Sequence, residues 1–298
     1  MLNELTKEGY KMNDLIIGTN QYMTVTRFND TGYIVEINGV QAHLHQDEVD
    51  HDLNIDDRIK VFVYEDKRGK LIATPQLANV TTDSYNWAKV VEKIPNLGVF
   101  VDIGSTIEIL VSKDDLPLFD IVWPEKSDKL YVKLDKDRKG RLLAKPATEG
   151  VIEDMREWAP DSMLNQNVTG FVYITNREGT AIITNEDYRG FIHYTERKEE
   201  PRLGEQVEGR VIAVKEDGTL NISLRPLKQY SQIEDAERIF EHLQMNDGVM
   251  PFTDKSDPED IRATFQISKA AFKRALGKLM KEGKIKQENG MTYLSKTE

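Results

Sequence analysis

The sequence predicts a mainly β protein with a C-terminal α+β domain: three five-stranded barrels in series, then three helices and a hairpin. Three observations carry this expectation. Short segments with period-2 alternation and many β-branched or aromatic residues run from about Asp14 to Pro226, broken by Gly and Asn turns. The same strand-and-turn order recurs three times at roughly 70 to 80 residues, a longer interval than solenoids use. After Pro226 the apolar spacing changes from that of strands to that of helices.

The first barrel is expected over 13–80, with strands in QYMTVTRF, TGYIVEI, VQAHLHQ, DRIKVFVYED and GKLIATP. Five short strands cannot make two large sheets, and closing them into a barrel removes exposed edges. The second, over 83–147, repeats the plan in WAKVVEKI, LGVFVDI, IEILVSKDDL, KLYVKLDKD and GRLLAKP. The third, over 165–227, uses VTGFVYITN, GTAIITN, YRGFIHYTE, EQVEGRVIAVKED and GTLNISLRP. Between them, 148–164 is a linker in which Ile152, Met155 and Trp158 line one side of a short helix ending before Pro160. Packing between modules explains that helix better than ligand binding.

The last domain, over 230–298, begins with Ile233, Ala236, Ile239, Phe240 and Leu243 at helical spacing, with Ser231 or a neighbour as cap. Pro258 opens a second short helix, where its fixed φ is tolerated. Ser268 precedes a third, whose stripe is Phe272, Ala275, Leu276, Leu279 and Met280 and whose C′ residue is Gly283. Asn289-Gly290 is the turn of a final hairpin. Three helices followed by a two-stranded wing make a winged helix.

The net charge of -11 and the absence of cysteine bound the chemistry. An acidic protein is a poor general coat for nucleic acid, and without thiols there is no disulfide scaffold or thiolate metal site. No segment has the continuous apolar length of a membrane span, and Met1 to Tyr10 lacks the apolar core of a signal peptide, so a cytoplasmic location is expected. The charge is unevenly spread. Acids dominate from Ser231 to Asp260, whereas Arg262, Lys269, Lys273, Arg274, Lys278, Lys281, Lys284 and Lys286 face only Glu282 and Glu288 between Ile261 and Glu288. Such a basic segment can focus polyanions locally.

In the second and third modules, Leu97-Gly98-Val99-Phe100-Val101, Gly190-Phe191-Ile192-His193-Tyr194-Thr195-Glu196 and Asn221-Ile222-Ser223-Leu224 resemble the barrel repeated in bacterial ribosomal protein S-one, an OB-fold RNA-binding domain. The first module offers Leu44-His45-Gln46-Asp47-Glu48 at the histidine-bearing strand. The whole chain is similar to the bacterial CvfB/YitL family, through Asp83 to Val90, Glu200 to Glu205, Pro251 to Ser256 and Phe265 to Ala275. That resemblance implies three OB-fold barrels followed by a winged helix, RNA binding, a post-transcriptional or virulence-related regulatory role in some relatives, and no enzymatic reaction.

It also implies site residues. In the barrel family, aromatic residues on the second and third strands, a histidine and late basic residues form the RNA face. The positions here are Phe28, Tyr33 and His45 in the first module, Phe100 and Arg141 in the second, and Phe191 and His193 in the third. No module has the full set. Ser112 stands in for the histidine of the second, Ala181 for the main aromatic of the third, and Lys215 and Asn221 for its late Asp and Arg. In the winged helix, Lys269, Lys273, Arg274, Lys278, Lys284 and Lys286 are candidate phosphate contacts.

Alternatives stay open at each site. Phe100 alternates with Val99 and Val101, so it faces either the groove or the core. His193 is either a surface residue or a packed one. The basic residues of the last helix are either phosphate contacts or a solvated face. His43 and His45 share a strand face, yet two ligands without a third make a poor metal site. The chain lacks phosphate-binding Gly loops, nucleophile elbows and zinc-helix motifs, and its Asp47 to Asp57 run lacks calcium-loop spacing. A binding protein without cofactor or metal is expected, with single-stranded RNA as partner. The alternative is a scaffold for protein partners in RNA metabolism.

Overall fold

The computed structural model describes residues 16–226 and 228–295, with the side chains of 228–234 outside that description. The chain forms two compact units that divide between Leu224 and Arg225. The expected start at 13, the opening at Met1 to Tyr10 and the side chains of Ser231 and Ile233 lie outside the described residues; Ser231, expected at the cap, falls inside the first helix of the last domain, which begins at Lys228.

The first unit opens with β1 (Asn20–Asn29), β2 (Gly32–Ile37), β3 (Val40–His45), β4 (Arg58–Glu65) and β5 (Leu71–Thr74). They close into a barrel in the order β1-β2-β3-β5-β4. Inward-facing Met23, Val25, Tyr33, Val35, Leu44, Val61 and Val63 fill it. β6 (Asn86–Ile94), β7 (Gly98–Asp102), β8 (Glu108–Ser112), β9 (Lys129–Lys136) and β10 (Leu142–Pro146) form the second module, and β11 (Asn167–Thr175), β12 (Gly179–Thr184), β13 (Arg189–His193), β14 (Gln206–Val214) and β15 (Leu220–Ser223) the third. The third is a closed barrel of the same order as the first.

The second module departs from expectation. It is a five-stranded sheet in the order β10-β9-β6-β7-β8, not a closed barrel. In the barrels, closure is a short parallel ladder, His43 and Leu44 against Ile72 and Ala73, or Gly190 and Phe191 against Leu220 and Asn221. Across the corresponding seam, side-chain packing does this work: Val111 of β8 and Ala144 of β10 share one apolar cluster. The Lys145 Nζ to Asp115 Oδ2 ion pair, at 2.7 Å, ties the same edge.

The modules are stitched together. Phe62 of the first barrel, Ala78 and Val80 belong to the apolar cluster of the second module. Leu203 N–H donates to the Val122 carbonyl (3.0 Å) and Lys129 N–H to the Gly204 carbonyl (2.9 Å), so the segment before β14 straps the second module to the third. The linker helix α1 (Glu149–Met155) buries Ile152 beside Ala147, Tyr173, Ala181 and Ile183. Glu149 accepts from Tyr173 Oη (3.0 Å) and Arg189 Nε (2.7 Å). This is the packing role expected of the helix. Trp158 does not join its stripe: it lies past the last helical turn and is 66% exposed, under the Arg156 guanidinium.

The second unit contains α2 (Lys228–Met245), β16 (Val249–Met250), α3 (Pro258–Phe265), α4 (Lys269–Lys281), β17 (Ile285–Glu288) and β18 (Met291–Leu294). Asp257 caps α3 through the Glu259 N–H (2.8 Å), and Ser268 caps α4 through the Ala271 N–H (3.2 Å). Gly283, at φ 71°, ends α4 with the Lys284 N–H reaching back to the Leu279 carbonyl (3.0 Å). The core takes Ala236, Ile239, Leu243, Phe265, Phe272, Ala275, Leu276 and Leu279. Met280 is 45% exposed and leaves the expected stripe. The wing has three strands, β16-β18-β17, where two were expected; two residues are too short a run to show period 2.

Candidate nucleic-acid interface

Register makes the three modules comparable residue by residue. Gly32 pairs with His45, Gly98 with Ser112 and Gly179 with His193. One step along, Tyr33, Val99 and Thr180 face inward, and all three are buried. Two steps along, the outward position holds Ile34, Phe100 or Ala181, opposite His43, Leu110 or Phe191. This outer face of the second and third strands is the candidate interface.

The second module offers its ring here. Phe100 is half-buried between fully buried Val99 and Val101, so it points out of the core, with half-buried Leu110 beside it. In the third module the ring has moved across to Phe191, and Ala181 is buried under α1. A Cβ on Gly179 would stand 2.6 Å from Phe191 Cζ, so the ring lies against bare backbone. Lys215 Nζ sits 6.0 Å from the ring centroid and Asn221 pairs alongside. Lys215 takes the turn position that Asp66 and Asp137 hold in the other modules. All three accept the turn's closing N–H, from Gly69, Gly140 and Gly218. The Lys70 N–H holds Asp66, and the Arg141 N–H Asp137, below the usual carboxylate range.

The first module has a different face. Tyr33 does not lie on the expected outer face: it is 4% exposed in the barrel core, where its Oη accepts from the Leu53 N–H (3.3 Å). Phe28 is 51% exposed and meets Tyr33 edge-on at 5.5 Å. His43 is buried, with Nε2 2.8 Å from Thr31 Oγ1, and burial lowers its pKa. Among the described residues no cluster of metal-ligating side chains forms around it.

His45, Ser112 and His193 share one local role that sequence reasoning missed. Each caps the short 3-10 turn after the third strand, accepting from the Asp47, Asp114 or Thr195 N–H at 3.3–3.4 Å. Serine at the histidine position thus keeps the turn while losing the ring. The sequence signal is a side-chain acceptor, His or Ser, two residues ahead of an acidic or hydroxyl residue. His193 remains exposed, 4.4 Å from the Tyr194 ring. Arg141 is exposed at the β9–β10 turn, bonded through Nε to Asp137 (2.8 Å).

In the second unit, α4 presents Lys273 and Arg274 to solvent, with Lys278 half-buried and Lys269 at the first turn. Lys273 lies 3.8 Å from Asp254, Lys278 4.0 Å and Lys284 2.9 Å from Glu282, and Lys286 3.7 Å from Glu288. Lys269 Nζ donates to the Lys255 carbonyl (3.4 Å). Arg274 has no ion pair among the described residues. Nearby acids temper the basic segment without burying it.

Among the described residues no helix is long and apolar enough to cross a membrane. Family models match in series: an S1 domain over 17–76, the CvfB first S1-like domain over 85–145, the second domain of virulence regulatory factor CvfB over 152–226, and a CvfB-like winged helix domain over 237–294. The chain is 44% identical to YitL of Bacillus subtilis over 290 residues, 97% of each chain. It is 37% identical to conserved virulence factor B of Staphylococcus epidermidis over 287 residues, 94% of this chain and 95% of that one. A crystal structure of a multidomain protein with nucleic acid binding domains from Streptococcus pneumoniae superposes with a TM-score of 0.63 at 39% identity, covering 94% of this chain and 99% of that one. With matched domains from 17 to 294 and relatives aligned almost end to end, this chain belongs to the CvfB family of S1-like, winged-helix proteins.

Proposed function

We propose that this chain is a single-stranded RNA-binding protein with a regulatory role, acting as a binder and not as an enzyme. The observation that carries the reading is the pair of outward rings. Phe100 on the second strand of its module and Phe191 on the third strand of the next hold equivalent outward positions in the register, half-buried, with Lys215 beside the second. An aromatic face accepts any unstacked base for about 1–3 kcal/mol, and RNA is read mostly where bases are unpaired. In this reading exposed His45, Arg141 and His193 contribute one polar group in each module, and Lys269, Lys273, Arg274, Lys278, Lys284 and Lys286 add phosphate contacts. Each site is weak alone, but linked sites convert later contacts into intramolecular ones. The nucleic acid binding domains named for the pneumococcal relative and the regulatory role named for CvfB point the same way. Titration of labelled U-rich and A-rich single strands at several salt concentrations tests the reading: binding that weakens with salt is expected, and none tighter than high micromolar at low salt defeats it.

One observation favours a second reading, a scaffold for protein partners in RNA metabolism. Leu118, Phe119 and Ile121 are 90%, 63% and 78% exposed on one loop. The loop is held by a Trp123 Nε1 bond to the Pro117 carbonyl (2.6 Å). Contiguous exposed apolar side chains mark interaction surfaces. Partners that co-purify after nuclease treatment, and are lost with Leu118→Ser/Phe119→Ser, would favour the scaffold.

A further inference from the structure

A second face of the same modules carries rings and cations together. In the first barrel Tyr22 of β1 is 54% exposed, with Arg58 and Lys60 of β4 at 5.4 and 5.9 Å from its ring centroid. Tyr22 pairs with Lys60, and the same ladder place in the second module pairs Trp87 with Tyr131. Two residues earlier, Tyr85 lies under Lys133 (5.3 Å). The rings form a continuous row: Tyr85 stacks on Tyr131 at 5.7 Å, Tyr131 meets Trp87 at 5.2 Å, and Trp87 meets Phe171 of the third barrel at 5.0 Å. Lys129 lies 5.2 Å from the Phe171 centroid. All four rings are half-buried, so each keeps an open edge or face.

Packing between modules accounts for Trp87 against Phe171 and for the inner sides of Tyr85, Trp87 and Tyr131, which lie against the Ile152 cluster, but not for exposed Tyr22 or for the cations beside the rings. Tyr22 is exposed, yet it has the same ring-with-cation arrangement. Lys89 and Lys129 stand directly opposite each other, although Asp102 is across from Lys89 on its other side. Like charges facing across a ladder cost stability. A polyanion offsets that cost. A row of rings edged by lysines suits a strand whose bases stack while its phosphates meet ammonium groups. A protein partner would not require the repeated cation.

The geometry points to a second track for single-stranded nucleic acid, running along the first- and fourth-strand ladders of the first two modules, with Tyr22 as one station and Tyr85, Tyr131 and Trp87 as the other. It rests on the nucleic-acid reading above but uses a different face from Phe100 and Phe191. The test is photocrosslinking of a mixed-sequence single-stranded RNA bearing 4-thiouridine to the full chain, mapped by mass spectrometry. Affinities are measured in parallel for Tyr22→Leu and Lys133→Gln, both surface changes that leave the modules packed. Crosslinks at Tyr22 or Trp87, with affinity lowered about fivefold or more by Tyr22→Leu, are expected. RNA bound tightly, with crosslinks confined to Phe100 and Phe191 and both variants unchanged, overturns the second track alone. No RNA binding by the unaltered chain overturns both readings.

Discussion

The ring of Phe191 rests on Gly179: any side chain at 179 would begin 2.6 Å from Phe191 Cζ and 2.4 Å from the Ile192 carbonyl oxygen. Neither approach is tolerable, so the strand pair fixes the outward ring by what it omits. Gly179→Ala forces β12 and β13 apart or swings the ring away, at a cost of about 1–3 kcal/mol. Urea melts should read that loss, and RNA affinity should fall with it. A variant as stable as the parent, with the Phe191 ring resonances unmoved, would remove Gly179 from the account of the face.

Helix α1 is the lid on the remainder of that barrel's outer surface. Ile152 is fully buried, and its cluster includes Ala181 and Ile183 from the outward side of β12. Ile152→Ala leaves a cavity, and the expected loss is about 2–5 kcal/mol. Thermal melts of the full chain measure it. A shift indistinguishable from that of an exposed linker residue such as Glu153 would mean that α1 does not hold down the face.

Much of this is legible in the sequence, and the failures have physical reasons. Period-2 alternation with β-branched and aromatic residues places the fifteen strands of the first unit, although β12 is buried on both faces. It cannot set the phase of Phe100, flanked by valines, since either side of the strand could be the core. Tyr33 shares the inward phase of Val35, and only the resemblance to the barrel family, which expects aromatics on these strands, makes it look like part of an outer face. The open seam between β8 and β10 has no sequence signature, because ladder closure depends on how two distant strands meet. Phe191 is marked by its motif, but the burial of Ala181 under α1 is a tertiary fact. The cation-bearing ladder face stays invisible until register brings Lys60 to Tyr22 and Tyr131 to Trp87.

The basic face of α4 supplies a prediction about salt. Lys273 is 66% exposed at its side chain and only loosely paired with Asp254, and Arg274 is exposed. If both meet phosphates, Lys273→Gln/Arg274→Gln weakens RNA binding, and the logarithmic salt slope falls by about 0.7 for each phosphate no longer neutralised. Affinities at stepped salt concentrations decide this. Parallel lines for parent and variant would return the face to solubility or protein contact.

The buried imidazole of the first barrel makes stability depend on pH in a definite direction. His43 is 6% exposed and bonded to Thr31 Oγ1. Burial, first, and then Lys70 and His45 lower its pKa below the ordinary value, while Glu48 opposes them. A histidine whose folded pKa is depressed takes up its proton more readily when unfolded, so its stabilising contribution is complete above the unfolded value of about 6.5 and is lost as pH falls below it. Carboxylates held low in the fold, Asp66, Asp137, Asp217 and Glu282, act only at more acid pH, which keeps the windows apart. Melting of the parent should therefore decline between pH 7 and pH 5, and His43→Gln should flatten that decline while retaining a partner for Thr31. Equal slopes for the two proteins across this interval would show that His43 is as free to protonate in the barrel as in the unfolded chain.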